Sequence, residues 1–269
     1  MNKEPCISLL TDFGLRDEYV GVMKGVIASI NPKANVIDIS HTIAPQNIVQ
    51  AAYILWTSHV YFPKKTVHVA VVDPGVGTHR RIIALQANDY YFLAPDNGLL
   101  TFVINNYTCT SVCLTESRFF LSHVSDTFHG RDIFAPVAAH LSKDLNINQL
   151  GEMVPSHTLV KLPDIHPIKQ DGQLIGQVIM TDHFGNLITN ISQEDLHPDM
   201  NPSIMIHINN ISIQGIASNY MQVRKGDVLA IIGSKGLLEI SINCGNASQE
   251  LGIEIGSFIR IDKNKGLTN

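Results

Sequence analysis

The segment Thr66–Val72 is the feature that most narrows the fold of this chain. It reads TVHVAVV, an almost wholly apolar run that is rich in β-branched residues. Strands buried on both faces have this character, and they occur mainly in parallel sheets that are covered by helices. The run is far too short to span a bilayer. It therefore predicts a central strand of a globular α/β domain.

The elements around this run alternate between strand and helix. Cys6–Thr11 and Asn35–Ser40 have strand patterns, while Asp17–Ile30 and Pro45–Tyr61 have helical content, with Asp17 as the expected N-cap of the first helix. The resulting β-α-β-α-β order predicts a mostly parallel sheet flanked by helices. A hairpin is predicted downstream over Ile82–Gln86 and Tyr90–Leu93. A helix is predicted over Arg131–Lys143, in which Pro136 indicates either a start near Ile133 or a kink.

The pattern changes near residue 155, where a polar stretch is interrupted by Pro155, Pro163, Pro167 and Gly172. Short alternating segments follow, separated by turn-forming residues, and they predict a small antiparallel barrel or sandwich. We therefore expect an N-terminal α/β domain over 1–160, a linker over 161–173 and a C-terminal β domain over 174–269. The predicted strands are Leu174–Thr181, Leu187–Ile191, Ser203–Ile208, Ile211–Gln214, Val228–Ile232, Leu237–Asn243 and Ser257–Ile261.

Charge and cysteine content favour some classes of protein over others. The net charge is -5 and the pI is about 6.1, with no Lys/Arg-rich run, so a small ligand or a protein partner is favoured over nucleic acid. The N-terminus has no signal-peptide h-region, which favours the cytoplasm. The 4 cysteines lie in apolar contexts without a CxxC pair, which indicates reduced, packed thiols rather than disulfides or zinc ligands.

Three polar segments of the first half are candidates for chemistry. Asp12 follows the first strand, where a carboxylate can accept hydrogen bonds from a ribose diol, although a helix-entry turn explains it equally well. Asp73 and Arg80 lie at the two ends of a glycine-containing loop that follows the buried strand. They form either a functional pair or a structural salt bridge, and Arg81 is the alternative to Arg80 in that pair. His129 precedes a predicted helix and can titrate near neutral pH.

Three loops of the second half are candidates for ligand contacts. The loop Asp182–Asn186 offers a carboxylate for an ammonium group, a Phe184 ring for stacking on a purine and an Asn186 amide for a base edge. The segments Ser234–Gly236 and Gly245–Ala247 are either backbone cradles for a ligand or plain turns. No HxxxH or HExxH pattern that would predict a metal site is present.

Taken together, these segments resemble the S-adenosylmethionine hydroxide adenosyltransferase family, whose relatives include the fluorinases and chlorinases. The matching segments run in the expected order over nearly the whole chain. They are Thr11–Gly14, Val72–Thr78, Arg80, Ala94–Gly98, Thr127–Asp132, Asp182, Phe184–Asn186 and Ser234–Gly236. An ordered set of this kind is more specific than any of its members.

The resemblance implies an N-terminal α/β domain and a C-terminal β-barrel. It also implies a homotrimer, with S-adenosylmethionine bound between the N-terminal domain of one subunit and the C-terminal domain of its neighbour, and no cofactor or metal. By the same resemblance Asp12 holds the ribose hydroxyls, Asp182 holds the methionine ammonium, and Ser234 with Lys235 meets the carboxylate. The expected adenine contacts are Phe184, Asn186, Asn246 and Ala247, and the catalytic set of the hydrolase branch maps onto Asp73, Arg80 and His129.

The residue type at position 73 separates two reactions of these relatives. The halogenating enzymes carry a tyrosine where Asp73 stands and lack a counterpart of His129. A carboxylate repels a halide but can accept a proton from water. We therefore expect hydrolysis of S-adenosylmethionine to adenosine and methionine. The alternatives are a binding protein without turnover, a halide-dependent adenosyl halide synthase and a metal-dependent hydrolase.

Overall fold

The computed structural model describes residues 4–164, 166–196 and 204–263. The chain forms two compact units, which divide between Pro163 and Asp164. None of the helices within the described ranges has the length and apolar character that a membrane crossing requires.

A seven-stranded sheet organises the N-terminal unit, in the order β2-β1-β3-β5-β4-β6-β7. Strands β2, β1, β3 and β5 are mutually parallel, and β4, β6 and β7 continue the sheet in antiparallel pairs. This mixed, mostly parallel sheet with helices confirms the predicted fold class. The strands are β1 (Cys6–Thr11), β2 (Asn35–Ser40), β3 (Val67–Val71), β4 (Ile82–Ala87), β5 (Tyr90–Pro95), β6 (Cys109–Leu114) and β7 (Gly151–Met153).

Strand β3 is buried on both faces, as its sequence predicts. Val67, Val69 and Val71 pack in one apolar cluster, whereas Ala70 packs in the other. Helices α1 (Tyr19–Ile30) and α4 (Ala135–Leu141) contribute to the first cluster, and α2 (Ile48–His59) and α3 (Thr101–Asn106) to the second. The helices therefore cover both faces of the sheet and leave the carboxyl ends of its parallel strands to the connecting loops.

The helix expected over Arg131–Lys143 has two parts. A π-helical turn, Gly130–Phe134, precedes α4, and the Ala135 N–H donates to the carbonyl of Gly130. Pro136 has no N–H to donate to the carbonyl of Asp132, and that carbonyl instead accepts from the N–H of Leu121. The proline therefore explains why the backbone forms a wider, π-helical turn at this point instead of a regular α-helical turn.

Helix α1 also departs from expectation at its beginning. It begins at Tyr19 with Glu18 as N-cap residue, and no side chain caps it. The prediction that Asp17 is the N-cap is therefore wrong.

The C-terminal unit is an antiparallel, nearly closed barrel, which confirms the second half of the predicted fold class. Its strands pair in the order β12-β11-β15-β9-β10-β14-β13, and β8 pairs with β9. A bridge between Ala217 and Ile231 brings the chain after β12 onto β13. The elements are β8 (Ile168–Gln170), β9 (Gln173–Thr181), β10 (Leu187–Ser192), β11 (Ile204–Ile208), β12 (Ile211–Gln214), β13 (Val228–Ile232), β14 (Leu237–Ile242), α5 (Ala247–Leu251) and β15 (Phe258–Lys263).

Alternating apolar residues of these strands fill the barrel, including Ile204, Ile206 and Ile208 of β11. Ser203, with which that strand was expected to begin, lies outside the described residues. All four cysteines are free thiols, but Cys244 is exposed rather than packed.

Candidate active site

Strand register brings two of the expected site residues to one edge of the N-terminal sheet. Thr11 at the end of β1 pairs with Val71 at the end of β3, and the two strands are adjacent and parallel. Asp12 and Asp73 therefore follow neighbouring strands at their carboxyl ends, where open α/β sheets bind ligands.

Asp73 and Arg80 form a buried ion pair. The side chain of Asp73 is 4% exposed and that of Arg80 is 10% exposed. The Nε of Arg80 donates to both carboxylate oxygens, at 2.9 Å to Oδ1 and 2.8 Å to Oδ2, and Nη2 also contacts Oδ2. An arginine held in this manner presents a fixed fork of donors and fixes the plane of the carboxylate.

His129 joins this pair through the same guanidinium. The Nη2 of Arg80 lies 2.9 Å from Nδ1 of His129. Because a guanidinium can only donate, Nδ1 accepts, and the proton of the neutral ring is on Nε2. Burial, assisted by the positive charge of Arg80, holds the pKa of His129 below its ordinary value despite the nearby carboxylates. The imidazole is therefore neutral at pH 7, with an Nε2–H donor available.

One nitrogen of Arg80 is unsatisfied. Nη1 is buried and forms no hydrogen bond with any residue in the described part of the chain. A buried donor without a partner is costly in a folded protein and suits a ligand or a bound water.

Gly77 allows the Asp73–Arg80 loop to pack on the segment that leads to His129. Its φ is +77°, and a Cβ at this position would lie 2.2 Å from the carbonyl oxygen of Asp126. No larger residue fits without displacing one of these two segments. The close approach explains how residues far apart in sequence meet in one set.

Asp132 fixes the turn that carries His129. Its buried carboxylate accepts hydrogen bonds from the N–H and Oγ of Ser125, at 2.9 and 2.7 Å, and from Nε of Arg131, at 2.6 Å. Burial by itself would raise the pKa of Asp132, but the hydrogen bonds from Arg131 and Ser125 outweigh it and hold the pKa below its usual value. The carboxylate therefore stays ionised and keeps the turn in place.

Arg81, the alternative to Arg80, lies in a different ion pair. Its Nε donates to Oδ2 of Asp96 at 2.7 Å, and its Nη2 donates to the carbonyl of Thr158 at 2.6 Å. The adjacent residues Arg80 and Arg81 thus pair with different aspartates, and of these two pairs only the one formed by Arg80 contacts His129.

Aromatic packing connects the Asp12 turn to the His129 turn. The rings of Phe13 and Phe128 lie 5.9 Å apart edge to face, and Tyr19 contacts both. Each phenylalanine is the sequence neighbour of a candidate residue, so this contact sets the spacing between Asp12 and His129.

The C-terminal unit holds its own group of candidates, beginning with Asp182. Oδ1 accepts the N–H groups of Phe184 and Asn186, each at 2.9 Å, and Oδ2 accepts the Asn186 side-chain amide at 2.8 Å. This carboxylate organises its own loop, and Phe184 is left 72% exposed. An exposed phenylalanine on a loop fixed in this way is free to stack on a planar ligand.

Asn246 lies directly against that loop. A Cβ at Gly185 would lie 2.2 Å from Cγ of Asn246, and the N–H of Ser248 donates to the Gly185 carbonyl at 2.9 Å. Asn246 also caps α5 by accepting from the N–H of Gln249, whereas the Ala247 side chain is buried in the barrel core. Ala247 is 0% exposed, whereas Asn246 is partly exposed, so Asn246 presents the accessible surface of this pair.

Ser234 and Lys235 form the turn between β13 and β14, above a carboxylate that the sequence reading missed. Glu239 is 7% exposed, and its Oε1 lies so close to Gly233 that a Cβ there would approach it to 1.8 Å. Burial and the negative charge of Asp182 raise the pKa of Glu239, and burial lowers the pKa of Lys235. The signal for Glu239 was a single charged residue inside the strand pattern LLEISI.

One further polar residue near the site, His41, was also missed. It is buried, and it lies in no pattern that distinguishes it from an ordinary loop residue. Asp132 belongs to the matching segment Thr127–Asp132, but its part in holding the His129 turn was not predicted. Among the residues that the structure describes, no group of three or more His, Cys, Asp or Glu side chains is arranged to hold a metal ion.

Comparison with known proteins identifies the family. The model for the SAM hydroxide adenosyltransferase N-terminal domain matches residues 7–151, and the model for the C-terminal domain of that family matches residues 176–260. The (R)-S-adenosyl-L-methionine hydrolase of Salinispora tropica is 36% identical, over 97% of this chain and 99% of its own. A fluorinase of Nocardia brasiliensis is 24% identical, over 96% and 97%.

A solved structure has the same fold. The crystal structure of an uncharacterized conserved protein from Thermotoga maritima superposes with a TM-score of 0.89 at 38% identity and covers 96% of this chain and 100% of its own. With both domain models matched in order and a relative above one-third identity over almost the full length, the chain belongs to the SAM hydroxide adenosyltransferase family.

Proposed function

We propose that this protein hydrolyses S-adenosyl-L-methionine to adenosine and methionine. The observation that carries the proposal is the contact of one guanidinium, that of Arg80, with both a buried carboxylate and a neutral imidazole. The name of the Salinispora tropica relative supports the same reaction. In a halide transfer, a carboxylate at position 73 would repel the incoming anion.

The reaction is an in-line displacement at C5′ of the ribose. A bond forms between the water oxygen and C5′ while the C5′–S bond breaks, and its electron pair goes to sulfur. The sulfonium leaves as a neutral thioether, so the enzyme needs no acid for the leaving group. The water loses one proton, and the products are adenosine, methionine and H⁺.

Asp73 and His129 hold the water from two sides in this mechanism. The Nε2–H of His129 donates to the water oxygen, and a free lone pair of Asp73 accepts a water proton. A strong base is unnecessary because oxygen becomes highly acidic once it bonds to C5′. Positioning supplies most of the acceleration, since oriented reactants gain roughly 7–11 kcal/mol over free ones.

Arg80 fixes the positions of Asp73 and His129 relative to each other. Its buried Nη1 is the remaining donor, and it stabilises the hydroxide character that develops on the water. Asp12 binds the ribose hydroxyls. In the C-terminal unit, Asp182 receives the methionine ammonium, Ser234 and Lys235 meet the carboxylate, and Phe184, Asn186 and the Asn246–Ala247 segment contact adenine.

The domain boundaries and the homotrimer belong to the same proposal. We expect domains over 1–160 and 174–269 and three subunits in solution, with each substrate bound by the N-terminal domain of one subunit and the C-terminal domain of the next. Light scattering after size-exclusion chromatography measures the oligomeric state, and a monomeric active enzyme would overturn this arrangement.

The decisive experiment uses isotopically labelled water. Purified protein is incubated with S-adenosylmethionine in H₂¹⁸O, and the nucleoside product is analysed by mass spectrometry. The proposal requires adenosine that carries one ¹⁸O at its 5′ position, together with an equal amount of methionine. Unlabelled adenosine, or no adenosine at all, would overturn it.

Parallel reactions with chloride and fluoride test the halogenation alternative. Formation of a 5′-halogenated adenosine without adenosine would make the hydrolase assignment wrong. Separate incubations with the two sulfur epimers of S-adenosylmethionine show whether this chain prefers the (R) epimer, which the name of the relative specifies. Calorimetry that shows tight binding without product would instead favour a binding protein.

A further inference from the structure

The turn that carries Asp12 is held mainly by a different part of the chain. Within the turn, the N–H of Phe13 donates to Oγ1 of Thr11 at 3.2 Å. The segment that follows β2 supplies the remaining contacts. The carbonyl of His41 accepts the N–H of Gly14 at 2.7 Å, and the N–H of Gln46 donates to Oδ2 of Asp12 at 2.8 Å.

The imidazole of His41 adds a third contact to this turn. The ring is almost fully buried, and its Nδ1 lies 2.8 Å from Oγ1 of Thr11. On its other side Nε2 lies 3.0 Å from Oδ1 of Asp38, whose second oxygen accepts Nζ of Lys24 at 2.6 Å. A chain of polar contacts thus runs from the surface at Lys24 to the start of the Asp12 turn.

The imidazole lies between two polar groups. Nε2 faces the Asp38 carboxylate at ion-pair distance, without the alignment of a hydrogen bond. Nδ1 and the Thr11 hydroxyl share one hydrogen bond. The Thr11 oxygen also accepts the N–H of Phe13. Each group therefore orients the next, and the last oriented element is the backbone beside Asp12.

Gln46 adopts an unusual backbone conformation at the point where it contacts Asp12. Its φ is +63°, in the left-handed region that residues other than glycine seldom occupy. Strain of this kind persists where the surrounding structure fixes it and is concentrated at functional sites. Here the conformation accompanies the contact of the Gln46 N–H with the carboxylate.

We propose that His41 is a positioning residue for substrate binding, which holds the Thr11–Gly14 turn so that Asp12 meets both hydroxyls of the ribose. The inference rests on the proposed function, in which Asp12 binds the ribose diol. His41 itself contacts no substrate. Its effect reaches the ligand only through the turn, so it is confined to ligands that carry the diol.

The test compares two nucleosides that differ only in that diol. Calorimetry measures the binding of adenosine and of 2′,3′-dideoxyadenosine to wild-type protein and to His41→Phe, which keeps a ring but removes both nitrogens. We expect His41→Phe to weaken adenosine binding about tenfold, the size of one lost hydrogen bond to a charged group, and to leave dideoxyadenosine within about twofold. His41→Gln, which keeps a donor and an acceptor, is expected to recover part of the loss.

A second buried histidine provides the matched control. His59 lies in α2, and its ring contacts the carbonyl of Trp56 and the hydroxyl of Tyr107 rather than the turn. His59→Phe is expected to leave the ratio of the two affinities unchanged. Equal weakening of both nucleosides by His41→Phe, or no weakening of either, would overturn the proposal.

Two further measurements keep the outcome decisive. If His41→Phe does not fold, Asp38→Asn removes the ring's charged partner at a partly exposed position, and it must also reduce adenosine binding selectively. Wild-type protein that binds adenosine in preference to the dideoxy compound but produces no adenosine from S-adenosylmethionine would refute the proposed hydrolysis and leave the role of His41 standing. Wild-type protein without that preference would refute the role of His41.

Discussion

Nη2 of Arg80 donates to Nδ1 of His129 at 2.9 Å, which leaves the Nε2–H of the imidazole as its only remaining donor. The same guanidinium holds the carboxylate of Asp73. One side chain therefore sets the orientation of both groups. Because all three are largely buried, a change at any one of them is expected to disturb the other two.

Replacing Asp73 by Asn is expected to lower kcat by about 10²- to 10⁴-fold, the usual contribution of a positioned acid or base, because the amide cannot take a water proton. Binding of S-adenosylmethionine is expected to stay within about threefold. The variant is also expected to lose about 3–5 kcal/mol of stability, since Arg80 keeps a buried charge without a counter-ion. Steady-state kinetics and chemical unfolding measure these effects.

The adjacent ion pair offers a control for this variant. Asp96 is also buried and paired with an arginine, Arg81, but it does not contact His129. Asp96→Asn is expected to reduce stability and leave kcat nearly unchanged. Equal losses of kcat in the two variants would show that Asp73 acts only through folding.

The pH dependence of turnover is expected to follow the neutral form of His129. Burial and the charge of Arg80 lower the pKa of this histidine, so the imidazole stays neutral as the pH falls below about 6.5, the ordinary value. Protonation would place a donor on Nδ1 against the Arg80 donor. We therefore expect kcat to be level from pH 8 to 6.5 and to decline only at lower pH.

Measurement of kcat from pH 8 to 5 tests this prediction. His129→Gln, which does not titrate in this range, is expected to lose the decline, whereas His79→Gln, a change at an exposed histidine of the Asp73–Arg80 loop, is expected to keep it. A midpoint above pH 6.5 in the wild-type enzyme would contradict the assignment.

Gly185→Ala is expected to distort the loop Asp182–Asn186 through a steric clash. The Cβ would meet the side chain of Asn246, and φ is +86°. Gly172 has a similar φ, +78°, but open space around it. Gly172→Ala therefore reports the backbone strain alone. We expect KM for S-adenosylmethionine to rise about tenfold or more in Gly185→Ala and to be unchanged in Gly172→Ala. Similar values in the two variants would show that steric contact at Asn246 has no effect on binding.

His68 is expected to make the fold sensitive to acid. It is fully buried in β3, its Nδ1 lies 2.7 Å from the Ser8 hydroxyl, and burial, assisted by His59, lowers its pKa to about 3. As the pH falls, this histidine is therefore protonated in the unfolded chain before it is protonated in the folded protein. The free energy of unfolding is unaffected by this group above about pH 6.5 and decreases progressively toward pH 3, by up to about 5 kcal/mol.

Urea unfolding between pH 7 and 4 measures that loss. His68→Gln is expected to flatten the dependence because its side chain does not titrate, and His157→Gln, at an exposed histidine, is expected to leave it as in the wild type. An unchanged slope in His68→Gln would mean that another group controls acid unfolding.

Several elements of the fold were predictable because they depend on local patterns. The run at β3 is apolar at nearly every position, and the strands of the barrel alternate with period two, so their bounds fall within a few residues of expectation. The π-helical turn before α4 was not predictable in this way. It depends on Pro136 together with a distant acceptor partner, the N–H of Leu121.

In the candidate site, too, local features were predictable and contacts between distant residues were not. The sequence by itself determined the fold class, the family and the identity of Asp12, Asp73 and His129 as candidates, because ordered motifs and residue chemistry are local properties. The tertiary structure decided that Arg80 rather than Arg81 contacts Asp73, that His129 is bound through Nδ1, and that His41 and Glu239 lie buried beside candidate residues. These contacts join residues that are remote in sequence, or choose between neighbours, and only the packing of the strands and loops fixes which donor reaches which acceptor.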